Sequence, residues 1–133
     1  MTVLSRWSVL AIGFGLAACT IGPSNLPTHR DLGEGPLAVL EGTLVLANEC
    51  LLAQGAQGSG RWLVVWPSGF SLRGDVIVDG RGQPMASVGL AVRLVGGEYH
   101  ESQYEFLRTL MQRDVPDACR GGDYWLAVEV LPP

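Results

Sequence analysis

Short segments in which every second residue is apolar constrain this chain more than any other feature. In "VGLAVRLV", residues 88–95, Val88, Leu90, Val92 and Leu94 alternate with Gly89, Ala91, Arg93 and Val95. "YWLAVEVL", residues 124–131, repeats the period with Tyr124, Leu126, Val128 and Val130 on one side. Successive strand side chains point to opposite faces, so this period predicts strands that lay one face on a core. "VLEGTLVLA", residues 39–47, carries Leu40, Leu44 and Leu46 on its even positions, with Glu41 and Thr43 on the other face. "RWLVVW", residues 61–66, is apolar on both faces, as in a strand covered on two sides or one whose outer face is used. "DVIVD", residues 75–79, is short and stops at the turn-forming "GRGQP".

One helix interrupts the strands. Ser102 and Glu105 have capping-box spacing at the start of "SQYEFLRTLMQR", and Tyr104, Leu107, Leu110 and Met111 fall on one stripe. The glycine-rich "AQGAQGSG", residues 53–60, reads as a long flexible hairpin loop. Short strands at close intervals with one helix predict a mainly β domain. Its expected form is a small, partly open barrel of OB-like type, or a sandwich, with the helix plugging one end.

The first twenty residues have a different character. Arg6 precedes an apolar run from Trp7 to Ala18, which is too short for a permanent membrane span and suits the core of an export signal. Leu16-Ala17-Ala18-Cys19 resembles a bacterial lipobox, at which lipoprotein precursors are cut just before the cysteine. The resemblance implies a signal peptide over residues 1–18 and a diacylglyceryl thioether on Cys19, often with palmitate-type acylation of the new N-terminus. Ordinary signal-peptide cleavage nearby and no cleavage at all are the competing readings. Thr20 stands where an aspartate favours the inner membrane in such lipoproteins. The resemblance therefore implies the periplasmic face of the outer membrane if the host has two membranes. Residues 19–36, rich in proline and glycine, read as a lipidated N-terminus and flexible tether in which His29 is solvated, leaving residues 37–133 as the folded domain.

A second resemblance spans residues 42–97. Gly42-Thr43-Leu44, Cys50-Leu51, Trp66-Pro67-Ser68-Gly69, Val88-Gly89 and Gly96-Gly97 are similar to a small domain of uncharacterised exported bacterial proteins. No activity comes with it.

Without residues 1–18 the chain has eight arginines and no lysine against 13 acidic side chains, a net of −5. No basic run is present, which argues against nucleic acid as a partner. Cys50 and Cys119 remain after the lipid claims Cys19, and a thiol pair in an exported chain reads as a disulfide.

Candidate sites are few. Glu98, His100 and Glu101 offer carboxylate, imidazole and carboxylate within four residues; they read first as a polar loop leading into a helix and are only weak candidates for a metal. Trp62 and Trp66 are either a contact surface for a glycan, a peptide or another envelope protein, or core. Asp75 and Asp79 are too far apart on a strand to act as an acid–base pair. No catalytic constellation stands out, and no cofactor is expected. The resulting expectation is a lipid-anchored cell-envelope protein, a non-catalytic binding or scaffolding module. A small-ligand or metal-binding envelope protein is the alternative, and a hydrolase a distant third.

Overall fold

A computed structural model describes residues 26–30 and 37–132. The strands are β1 (Thr28–His29), β2 (Ala38–Ala47), β3 (Cys50–Gly55), β4 (Arg61–Val65), β5 (Ser71–Arg73), β6 (Val76–Val78), β7 (Pro84–Ser87), β8 (Ala91–Tyr99), β9 (Met111–Arg113) and β10 (Asp123–Leu131). Among the described residues one α-helix, α1 (Tyr104–Leu110), lies between β8 and β9. The protein is thus the mainly β domain with one helix that the alternation predicts.

Five strands close into a barrel in the order β10-β4-β3-β2-β8, with β8 returning to β10. β4 and β10 run parallel, and the other barrel pairs are antiparallel. β2 and β3 join through a two-residue hairpin whose central residues, Asn48 and Glu49, have φ of 51° and 66°. Positive φ at both central positions gives the turn the twist of the flanking strands. β3 was not among the expected strands, because "CLLAQG" lacks a clean alternation and ends in the stretch read as loop. That loop is a short turn, closed by the Gly55 N–H donating to the Gly60 carbonyl at 2.9 Å. β8 also continues through Gly96 and Gly97 to Tyr99, where a polar loop was expected.

Side-chain alternation splits "RWLVVW" between two cores. Val64 and Trp66 join Leu44, Ala53, Leu94, Trp125 and Ala127 in the barrel interior. Leu63 and Val65 face outward with Tyr124 and Leu126, where Tyr104, Leu107 and Met111 cover them. The helix therefore lies on the outer wall of β4 and β10 and does not plug an end. The antiparallel meander β5-β6-β7 contributes its buried Ile77 to the interior cluster. Phe70, at its entrance, stacks on Trp66 with ring centroids 6.2 Å apart. The meander thus does the closing expected of the helix.

α1 is shorter than its periodicity suggested, because Met111 leaves the helix to begin β9. A 3-10 turn over Glu101–Gln103 precedes it, and Gln103 Oε1 accepts the His100 N–H at 3.0 Å. The start is therefore organised by His100 and Gln103 instead of Ser102 and Glu105.

The segment around His29 requires a correction. Leu26 through His29 are buried, and β1 pairs with β9 while the Thr28 backbone also bridges to Trp66. The His29 N–H donates to the Trp66 carbonyl, and the Trp66 N–H donates to the Pro27 carbonyl, both at 2.9 Å. His29 is 2% exposed, so residues 26–29 are a strap built into the domain. Pro27 helps fix a path that the barrel wall can pair with, which composition alone reads as a tether.

Candidate functional site

The strand ends at one mouth of the barrel bring polar side chains together. Glu98 and His100 are two residues apart at the end of β8 and share a face by alternation. The β8–β10 register pairs Tyr99 with Tyr124, which sets Asp123 level with His100. His100 Nδ1 lies 2.8 Å from Asp123 Oδ1 and 3.9 Å from Glu98 Oε1. The Asp123 hydrogen bond and charge, reinforced by Glu98, raise the His100 pKa above its ordinary value. On β4, Trp62 pairs with Asp123, and its half-buried ring lies against the Gly55–Gly60 turn. A Cβ on Gly60 would sit 3.0 Å from that ring, at a φ of +139° that other residues rarely adopt.

Glu101 does not join His100. It accepts hydrogen bonds from the buried Tyr124 hydroxyl and, at 2.7 Å, from Arg120, whose guanidinium also lies 3.7 Å over the Tyr104 ring. The Tyr124 hydroxyl, ahead of Arg120, holds the Glu101 carboxyl below its usual range. Burial first, and the Glu101 hydrogen bond second, push Tyr124 up to about 12. This cluster fastens the 117–122 loop and the start of β10 to the 3-10 turn that leads into α1. The expected grouping of Glu98, His100 and Glu101 is corrected to Glu98, His100 and Asp123. Asp123 was missed because the antiparallel pairing joins residues 23 apart, which local spacing does not reveal.

The tryptophans are also placed. Trp66 is 0% exposed and offers no contact surface, and only the half-buried Trp62 reaches the rim. The reason is the alternation: Trp62 on β4 and Trp66, one residue past its end, both take the inward face, where a small barrel needs large side chains to fill it. Cys50 and Cys119 form a disulfide, with Cα atoms 5.6 Å apart, that ties the start of β3 to the loop before β10. Asp79 sits in a turn, accepting from the Arg81 and Gln83 N–H groups at 2.9 Å each. Cys19 and its lipobox lie outside the described residues. Among the described residues, no helix is long and apolar enough to cross a membrane. No family model, curated protein or solved structure matches this chain.

Proposed function

We propose that the protein is a lipid-anchored module of the cell envelope that binds through its outer surface. The observation that carries the anchor is the lipobox-like Leu16-Ala17-Ala18-Cys19. The Cys50–Cys119 disulfide supports it, because such bridges persist in oxidising compartments and the pairing leaves Cys19 as the one remaining thiol. Surface binding is supported by the barrel interior. Trp66, Leu44, Val64 and Leu94 fill it, so a ligand would meet the rim and the outer wall instead of an internal cavity. Another envelope protein or a glycan is the partner class, with the outer membrane as the location in a host with two membranes.

Metabolic labelling with a fatty acid tests the anchor. Label should enter the wild-type protein and be absent from Cys19→Ser, which should accumulate as uncut precursor or soluble protein. Equal labelling of Cys19→Ser refutes the anchor. Cross-linking in intact envelopes, followed by identification of the adducts at rim positions such as Arg61, tests the binding role.

A further inference from the structure

We propose that Glu98, His100 and Asp123 form a divalent transition-metal site at the barrel mouth, with Zn2+ as the ion its chemistry fits best. The site stands independently of the lipid anchor. One donor atom from each of the three side chains lies within 4.8 Å of the other two. Donors bound to Zn2+ at about 2.0–2.2 Å lie roughly 3–4 Å from one another in tetrahedral or octahedral arrangements. The 2.8 Å and 3.9 Å separations about His100 Nδ1 already span that range. Small side-chain rotations would therefore seat an ion, with no change in the backbone.

The donor set selects the ion. Mg2+ and Ca2+ favour shells made of oxygen, whereas an imidazole nitrogen beside carboxylates suits Zn2+ and its neighbours in the first transition row. Two carboxylates also supply more negative charge than one imidazole can balance. Arg120, the nearest arginine in sequence to Asp123, is engaged by Glu101 at 2.7 Å. All three donors sit at the ends of β8 and β10, two strands paired along most of their length. Paired strands hold donors at fixed separations more firmly than a loop would. Three protein donors at an exposed mouth leave coordination positions open to water or to a donor from another molecule, unlike a closed structural site.

The chain has two histidines, and His29 is buried with both ring nitrogens on backbone carbonyls. Imidazole-dependent binding therefore reports on His100. Calorimetric titration of ZnCl2 into tag-free, chelator-stripped full-length protein should show saturable binding of one ion per chain. MgCl2 at the same concentration should give no saturable heat. His100→Ala should abolish binding, and Glu98→Gln and Asp123→Asn should each weaken it by roughly tenfold or more. Glu105→Gln, exposed on α1 and outside the cluster, should bind as wild type does. Melting curves in chelator identify any variant that fails to fold. If His100→Ala is one, the two conservative variants decide. Absence of saturable Zn2+ binding by wild type, or unchanged affinity in folded Asp123→Asn and Glu98→Gln, overturns the site.

Discussion

His29 Nε2 lies 2.5 Å from the carbonyl oxygen of Ala127, joining residues 98 apart in the chain. On its other side, Nδ1 faces the Arg30 carbonyl at 2.6 Å. The contact crosses from the strap to β10 and makes the strap part of the barrel wall. His29→Ala removes a buried ring and leaves a buried carbonyl without its partner. The expected loss is roughly 2–4 kcal/mol, read from urea unfolding of the purified protein. An unchanged midpoint would mean that the strap detaches before the barrel unfolds.

Trp66→Ala should cost about 3–5 kcal/mol, as large-to-small changes in filled cores do. Trp66→Phe should cost much less, because its indole N–H is buried without a hydrogen-bond partner among the described residues and phenylalanine has no such group to satisfy. Thermal unfolding of the two variants side by side distinguishes a packing role from a polar one. Equal losses would show that the N–H contributes as much as the ring volume.

The Asn48-Glu49 hairpin invites a stabilising change. Glu49 sits at a φ of 66°, where a side chain is strained and glycine is not. Glu49→Gly should raise stability by about 0.5–1 kcal/mol, since Asn-Gly is the preferred pair for this turn. A lower melting temperature in Glu49→Gly would show that the Glu49 side chain contributes more than its backbone costs.

The Tyr124 hydroxyl should ionise near pH 12, against 10.0 for a free tyrosine. A raised value in the folded state means that folding favours the protonated phenol. That contribution is complete below pH 10 and is lost as pH climbs to about 12. Glu101→Gln removes the carboxylate that accepts this proton and should lower the Tyr124 value. Ultraviolet titration, with Tyr124→Phe to assign the last step, measures it. No difference between wild type and Glu101→Gln would leave burial as the whole cause.

How much of this was legible depended on whether the signal was local. The alternation around Leu40 and Leu44, Val92 and Leu94, and Tyr124 to Val130 located three barrel strands, because side-chain period is a property of neighbours. The single face expected for the last of them does not hold: Tyr124 and Leu126 pack in the outer core and Val130 in the interior, because a register shift between Ala127 and Glu129 reverses the alternation. Leu46 and Leu90 broke the pattern by lying 49% and 61% exposed, at strand ends where alternation no longer decides burial. The strap was illegible because pairing with a strand more than 80 residues away leaves no mark on Leu26 to His29 themselves. The site was half legible for the same reason. Glu98 and His100 are spaced for one strand face, while Asp123 arrives only through the register of β8 with β10.

The strap also sets a length. Leu26 is already buried in the domain and lies seven residues after Cys19. An extended chain spans at most ~3.6 Å per residue, so Cys19 can lie no farther than about 25 Å from that point. In the proposed lipid-anchored form, the barrel would ride on a short leash, less than one bilayer thickness from the headgroups. Its partners must then come to the membrane surface. A distant layer of the envelope would be out of its reach.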